Sequence, residues 1–173
     1  KRSCIQAFRG VGKSWITSTF VIHQLLLDPT KNILVVSASK QRADDFSTFT
    51  LRMIEEMPVL RHLLPTEGQR SSKIAFDVGP APNAHAPSVT SRGITGQITG
   101  ARADLVVSDD VESLQNSQTM TARDKLTEAI KEFDAVLKPN GRICFLGTPQ
   151  TEFSIYSSLV SRGYDMRIWP ARY

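Results

Sequence analysis

The chain has 173 residues, of which 40% are hydrophobic and 22% charged, a balance typical of one folded domain with a buried core. This composition excludes a disordered or collagen-like chain. Its net charge of +4 permits a polyanionic partner without requiring one. The two cysteines and three histidines lack the spacing of a zinc site or a disulfide framework, and no apolar stretch approaches the ~20 residues of a membrane span.

Short apolar runs alternate with stretches of helical periodicity, and this alternation predicts an α/β domain with a mainly parallel sheet. The predicted strands are 3–8, 32–37, 73–78, 104–108 and 142–146. The predicted helices are 13–27, 40–57, 121–137 and 153–161, with a shorter segment after Pro58 and a proline-rich loop at 79–87. The chain opens directly on a strand, without Met or a signal peptide, so we expect a fragment of a longer protein.

Residues 7–14 read AFRGVGKS and match G-x-x-x-x-G-K-[ST], with Ala7 in place of the first glycine. A strand enters this loop and a helix leaves it, which presents backbone N–H groups and a helix N-terminus to an anion. Lys13 is expected to contact the β- and γ-phosphates, and the Ser14 hydroxyl to complete Mg²⁺ coordination. The alternative is a glycine-containing turn with a surface lysine. The predicted nucleotide contacts are Ala7, Phe8, Arg9, Gly10, Val11, Gly12, Lys13, Ser14 and Trp15.

An apolar strand ends in adjacent carboxylates in the segment LVVSDDVE, residues 105–112. Mg²⁺ prefers oxygen ligands and keeps several waters, so one carboxylate near it is enough, and we assign that role to Asp109. A second carboxylate must orient or deprotonate the attacking water, and both Asp110 and Glu112 are candidates. For an isolated Asp-Asp pair, capping of the next helix would be the better interpretation.

The segment RICFLGTPQ, residues 142–150, is a predicted strand followed by Thr148 and Gln150. Ligand sites of parallel sheets lie at the carboxyl ends of the strands, so these side chains are candidates to sense the γ-phosphate. Arg9 could reach the phosphates within its own subunit. Arg102, or Arg92 in its place, is a candidate to reach the nucleotide of a neighbouring subunit, although any arginine here could be a solvated surface residue.

Four segments, AFRGVGKS, VVSASKQRADDF, TGARADLVVSDDVE and FLGTPQ, together resemble the ATPase domain of tailed-phage terminase large subunits, most closely those of short-tailed coliphages. The resemblance covers nearly the whole chain. It implies a P-loop NTPase of the additional-strand, catalytic-glutamate type, a three-layer sandwich with a mainly parallel central sheet. It also implies that Arg9 assists at the nucleotide and that Thr148 couples hydrolysis to movement. Asp110 stands where many relatives have Glu, so the catalytic carboxylate stays open between Asp110 and Glu112.

The resemblance further implies ATP and Mg²⁺ as cofactors and double-stranded DNA as the substrate that is moved into a procapsid. The implied partners are a small terminase subunit and further copies forming a ring, usually taken as a pentamer, on the procapsid portal in the host cytoplasm. Residues 1–173 would be a single ATPase core, without the family's upstream adenine-binding segment and its C-terminal nuclease, which cuts concatemeric DNA.

Clustered basic residues are the candidates for contacts to the DNA backbone, since such contacts need only Lys or Arg and read no sequence. The candidates are Lys40, Arg42, Arg70, Lys73 and Arg92, and the alternative for each is a solvated surface charge. Two other functions share these motifs: a helicase-like ATPase, and a nucleotide-binding assembly module that does not hydrolyse. The Asp109-Asp110 pair argues against the second.

Overall fold

The computed structural model describes residues 1–172 and contains seven strands and five α-helices within that range. The strands are β1 (Arg2–Ala7), β2 (Ile33–Ser37), β3 (Ala75–Phe76), β4 (Val89–Gly93), β5 (Ala103–Asp109), β6 (Leu137–Gly147) and β7 (Asp165–Trp169). The helices are α1 (Lys13–Leu27), α2 (Lys40–Glu56), α3 (Leu114–Ser117), α4 (Met120–Val136) and α5 (Ile155–Leu159), and a 3₁₀ helix covers Pro58–Leu63.

All strands form one sheet in the order β3-β4-β2-β5-β6-β1-β7. Every neighbouring pair is parallel except β3 with β4. Register places Ser37, the last residue of β2, opposite Asp109 of β5, which is opposite Leu146 of β6. The carboxyl ends of the four central strands therefore meet at one edge of the sheet.

Helices cover both faces of the sheet, which confirms the predicted three-layer sandwich. All five residues of β2 are buried, as expected for a strand between two helical layers. Each face of the sheet has its own hydrophobic core, and alternate residues of β2 pack into one or the other. Leu34 and Val36 pack with α4 and α5, whereas Ile33 and Val35 pack with α1 and α2. Among residues 1–172, no helix is long and apolar enough to cross a membrane.

The predicted elements agree with the structure for the apolar strands and the long helices, and three elements were missed. Strand β4 has the polar sequence VTSRG with alternating burial, and β7 is mostly exposed, so neither has the apolar run that identified β2 and β5. Helix α3 has only four residues. The predicted strand 73–78 was too long, because only two of its residues pair, and antiparallel, with β4 at the sheet edge. The predicted helix 153–161 was also too long, since only Ile155–Leu159 is helical.

The start of β6 also differs from the prediction, in which the helix ended at residue 137 and the strand began at 142. Helix α4 ends at Val136 and β6 begins with the next residue. The residues between Leu137 and Arg142 form an irregularity in the β5–β6 register. Within it, Asn140 has a left-handed φ of 65°. The Lys138 ammonium fixes this segment by donating to Asn32 Oδ1 at 2.6 Å and to Asp104 Oδ2 at 2.8 Å.

Both cysteines are free and lie on adjacent strands, Cys4 on β1 and Cys144 on β6. Cys4 belongs to the core beneath α4 and α5, whereas Cys144 packs against the core beneath α1 and α2. Burial, with a smaller contribution from Cys144, raises the pKa of Cys4 to about 12. Burial raises the pKa of Cys144 to about 11.

Gly147 is the last residue of β6, and a Cβ at this position would overlap the ring and hydroxyl of Tyr156, which is completely buried. We predict that Gly147→Ala lowers the free energy of unfolding by about 1–3 kcal/mol, the usual cost of overpacking a core. Urea denaturation measures it. Gly96→Ala is the control, because its Cβ would meet only the Gly93 carbonyl oxygen, at 3.1 Å. Equal losses in the two variants would contradict the prediction.

Candidate nucleotide-binding site

A cavity of about 1040 Å³ opens at the sheet edge where the central strands end. Its walls come from the loop between β1 and α1, the first turns of α2, the end of β5 and the segment after β6. Of the residues predicted to act at a nucleotide, the cavity is lined by Arg9, Gly10, Gly12, Lys13, Ser14, Trp15, Asp109, Asp110, Glu112, Thr148 and Gln150.

The loop between β1 and α1 depends on two glycines in left-handed conformations, Gly10 at φ 89° and Gly12 at φ 82°. A Cβ at either would meet nothing within 4 Å, so the requirement is for backbone freedom and not for space. Gly12 caps α1 without a side-chain hydrogen bond, and no acidic residue lies in the first turn. The N-terminus of α1 therefore keeps its positive end for an anion.

The Lys13 ammonium lies at the centre of the site and is only 8% exposed. It donates to Thr148 Oγ1 at 2.8 Å and to the Phe8 carbonyl at 3.3 Å, and it lies 3.9 Å from Asp110 Oδ2. The Thr148 hydroxyl in turn donates to the Ala7 carbonyl at 2.8 Å. Ala7 and Phe8 thus contribute carbonyl oxygens behind the loop, and neither they nor Val11 lines the cavity.

Asp110 is turned toward Lys13 by an unusual backbone conformation, a φ of 46° in a residue that is not glycine. Its N–H donates to the Leu146 carbonyl at 2.9 Å, and its Oδ1 accepts from the Thr148 N–H at 3.0 Å. Its side chain is 34% exposed. Asp110 therefore faces the cavity with one oxygen held by the segment after β6 and the other near the lysine.

Asp109 points into the same region and has an unsatisfied oxygen. Its Oδ1 is buried without a hydrogen-bond partner, as is the hydroxyl of Ser37, its register neighbour on β2. Burial and the neighbouring Asp110 raise the pKa of Asp109 to about 6, opposed by the charges of Lys13 and Arg42. A buried oxygen of this kind calls for a cation or an ordered water. The donor set of Asp109 and Ser14 therefore fits a hard oxygen-seeking ion such as Mg²⁺.

Protein side chains alone do not complete a metal site in residues 1–172, which contain no group of three or more His, Cys, Asp or Glu side chains suited to one. A metal ion beside Asp109 would take most of its ligands from water and phosphate. Mg²⁺ is usually bound in this way, through one or two carboxylates and substrate phosphates.

Glu112 differs sharply from Asp110, because it is 2% exposed and both of its oxygens are occupied. Its Oε1 accepts from the Gln150 N–H at 2.8 Å, and its Oε2 accepts from the Ser154 hydroxyl at 2.6 Å and the Ile155 N–H at 2.8 Å. Glu112 thus attaches the acidic end of β5 to the N-terminus of α5. No sequence pattern indicates this attachment, since Ser154 and Ile155 are more than 40 residues away along the chain.

Arg9 lies in the loop and donates from Nη2 to Gln150 Oε1 at 2.7 Å. Gln150 also donates its backbone N–H to Glu112, so it joins the loop arginine to the anchored segment after β6. Both residues line the cavity.

Arg102 does not line the cavity. It precedes β5, at the opposite edge of the sheet, and its Nη1 donates to the carbonyls of Ala101 at 3.3 Å and Ala135 at 3.2 Å. The seven-residue strand separates the two edges by about 20 Å. The Arg102 guanidinium therefore does not reach the cavity of its own chain. Arg92, the predicted substitute, is the penultimate residue of β4, and its Nη1 donates to the Gln97 carbonyl.

One wall of the cavity was not foreseen as part of a nucleotide site. It is formed by α2, and the Trp15 ring packs edge-on against Phe49 with the ring centres 4.6 Å apart. The other lining residues that sequence reasoning did not assign to the site are Ala38, Ser39, Arg42, Asp45, Phe46, Ser113, Leu114 and Gln115.

The remaining basic candidates for DNA contact fall into different surroundings. Lys40 pairs with Asp44 at 2.6 Å. Arg70 contacts Asp77 and the carbonyls of Ala84 and His85, so it orders the proline-rich loop. Lys73 is exposed.

A glycine loop between β1 and α1, facing the acidic end of β5 across a parallel three-layer sandwich, defines the P-loop NTPase class. The chain is 53% identical over its full length to the terminase large subunit of Enterobacteria phage T3. Over the matched region the chain is therefore closely similar to a terminase large subunit. It spans 30% of the length of that relative. No family model matches the chain.

Solved structures with the same fold are ATPase domains of packaging proteins. The N-terminal domain of the DNA packaging ATPase from bacteriophage phi29 aligns with a TM-score of 0.60 at 14% identity, covering 99% of this chain and 90% of that one. The large terminase ATPase domain from Thermus phage P74-26 aligns with a TM-score of 0.52 at 14% identity, covering 98% and 74%. A variant of that domain gives a TM-score of 0.55 at 15% identity, with coverage of 98% and 75%. These alignments confirm the predicted fold.

The ionised form of Asp109 lowers the stability of the folded protein when no metal ion is bound. Because its pKa is raised from 3.8 to about 6, the folded state binds more protons between these values, and stability falls as the pH rises through them. We predict that Asp109→Asn exceeds the parent in free energy of unfolding by up to about 3 kcal/mol at pH 7.5, and that this advantage disappears toward pH 4. Denaturation with a metal chelator present measures it. A difference that does not change between pH 4 and 8 would refute the assignment.

Proposed function

We propose that this chain is the Mg²⁺-dependent ATPase core of a terminase large subunit and that its ATP hydrolysis drives double-stranded DNA into a viral procapsid. The carrying observation is the cluster at the sheet edge, in which Lys13, Thr148 and Asp110 contact one another directly beside the unsatisfied oxygen of Asp109. The 53% identity to a terminase large subunit supports the biological setting.

Binding of the triphosphate is the role of the loop and Lys13. The N-terminus of α1 supplies backbone donors, and the Lys13 ammonium, which here donates to Thr148 and Phe8, supplies the charge for the β- and γ-phosphates. When Lys13 contacts phosphate in place of Thr148, the threonine hydroxyl loses a partner. This exchange is the basis on which Thr148 would report nucleotide occupancy to the segment after β6.

Ser14 and Asp109 would hold the Mg²⁺ ion, which supplies charge neutralisation on the transferred phosphate when bound. Asp109 keeps an oxygen available for this purpose, because its Oδ1 has no other partner. The neighbouring Ser37 hydroxyl, also unpartnered, can accept or donate to a water of the ion's shell.

Asp110 is the carboxylate we assign to the attacking water. It faces the cavity and is partly exposed, whereas Glu112 is buried with both oxygens hydrogen-bonded to the segment after β6. A base must be free to accept a proton from water, and only Asp110 meets this condition. Glu112 instead positions that segment, and through Gln150 it also positions Arg9.

Arg9 would stabilise the developing charge within its own subunit, and Arg102, or Arg92 in its place, would act on a neighbour. A trans-acting Arg102 requires an assembly, and we propose a homo-oligomeric ring, a pentamer, on the procapsid portal, with the small terminase subunit as a further partner, in the host cytoplasm. Residues 1–173 would form one ATPase core, with the adenine-binding segment and the nuclease encoded outside this range.

The roles of the two carboxylates are separable by substitution. We predict that Asp110→Asn lowers ATP turnover at least about 100-fold while nucleotide binding persists, because general-base catalysis contributes on this scale. Glu112→Gln should instead lower the free energy of unfolding by about 1–3 kcal/mol, since its amide would turn a donor toward the donors of Ser154 and Ile155. Steady-state turnover and urea denaturation measure the two effects. An active Asp110→Asn with a stable, inactive Glu112→Gln would reverse the assignment.

Turnover as a function of protein concentration, with and without double-stranded DNA, tests the ring. We expect turnover per subunit to rise with concentration, to fall to background in Lys13→Ala, and to collapse in Arg102→Ala although that variant still binds nucleotide. Turnover that is flat with concentration and unaffected by Arg102→Ala would refute the trans role. Binding without turnover under all conditions would favour an assembly module, and duplex unwinding would favour a helicase-like ATPase.

A further inference from the structure

Arg42 is an exposed residue in the first turn of α2 and lines the cavity together with Lys13 and Asp109. Its backbone N–H donates to the Ser39 hydroxyl at 3.3 Å, which caps the helix and fixes this turn. Helix α2 begins three residues after Ser37, which is opposite Asp109 in the β2–β5 register. The first turn of α2 is therefore held beside the acidic end of β5.

The charge of this turn is unbalanced. It contains Lys40 and Arg42 and no acidic residue, although the N-terminus of a helix is its positive end and disfavours cations. Lys40 is compensated by Asp44 at 2.6 Å. The Arg42 guanidinium makes no hydrogen bond or ion pair with any residue in 1–172. A guanidinium without a hydrogen bond or ion pair, at a positive helix end and lining a cavity, is suited to an anion.

The position of Arg42 selects which part of a nucleotide it would meet. The sheet order β2-β5-β6-β1 places Asp109 between the α2 wall and the segment after β6 to which Arg9 is bonded. Arg42 and Arg9 therefore lie on walls of the cavity on either side of Asp109. The γ-phosphate is the anion expected beside Asp109, because the Mg²⁺ ion that Asp109 would hold would neutralise charge on the transferred phosphate.

We propose that Arg42 is a second arginine acting within its own subunit, binding the γ-phosphate of ATP from the α2 wall. This inference rests on the proposed ATPase function and adds a residue to that site. It also reassigns Arg42, which the sequence suggested as a contact to the DNA backbone. With a guanidinium at this place, ATP is distinguished from ADP by a direct contact and not by Lys13 alone.

Calorimetric titration with Mg²⁺ and either the non-hydrolysable analogue AMP-PNP or ADP tests the proposal at low protein concentration. We expect Arg42→Gln to weaken AMP-PNP binding about tenfold or more and ADP binding less than about twofold, the scale of one charge-assisted contact. Arg42→Lys should lie between Arg42→Gln and the parent. Lys40→Gln is the matched control, since it removes the same charge from the same turn, and it should change neither affinity.

Three results for Arg42→Gln would overturn the assignment. They are unchanged affinity for AMP-PNP, an equal loss of affinity for both nucleotides, or a loss of affinity confined to double-stranded DNA. The last would restore the DNA-backbone interpretation. Lys13→Ala separates failure of this inference from failure of the proposed function, because it should weaken both nucleotides. If the parent chain binds neither nucleotide and Lys13→Ala is indistinguishable from it, the proposed function itself fails.

Discussion

Burial of the Lys13 ammonium is the constraint on which the rest of the site depends. A charged amine that is only 8% exposed must find acceptors, since an unpaired buried charge is costly. Here the acceptors come from three strands: Phe8 follows β1, Asp110 follows β5 and Thr148 follows β6. Only a sheet in which these strands are parallel and adjacent, with their carboxyl ends level, brings the three together. The buried position of Lys13 therefore depends on this sheet topology.

Two sets of hydrogen bonds join the end of β5 to the segment after β6, and they have different characters. Asp110 and Thr148 form the partly buried set, next to Lys13 and beside the cavity. Glu112 forms the buried set with Gln150 and the start of α5. The buried set holds the segment in place, so a change in the contacts of Thr148 is transmitted through a segment fixed at its far end. This arrangement suits a switch that moves locally without unfolding.

How far the sequence could be interpreted depends on the physical signal each residue carries. Apolar strands such as β2 and β5 and the loop at Gly10 and Gly12 are encoded locally, by burial on both faces and by backbone conformation, and they were predicted. Strand β4 was missed because it is polar at alternate positions and becomes a strand only by pairing with β2. The hydrogen bonds accepted by both oxygens of Glu112 were not predictable, because their donors come from a distant segment of the chain. Arg42 is exposed, and its position on the cavity wall was not predicted, because this wall arises from the packing of α2 beside β5.

The two cysteines have a practical consequence for labelling this protein. With pKa values of about 12 and 11, Cys4 and Cys144 are almost entirely protonated near neutral pH, with less than about one thiolate in a thousand. Maleimide dyes react with the thiolate, so the native thiols stay silent while a cysteine introduced on an exposed helix is modified. Fluorescent reporters can therefore be attached at chosen positions without first removing either native residue from the core.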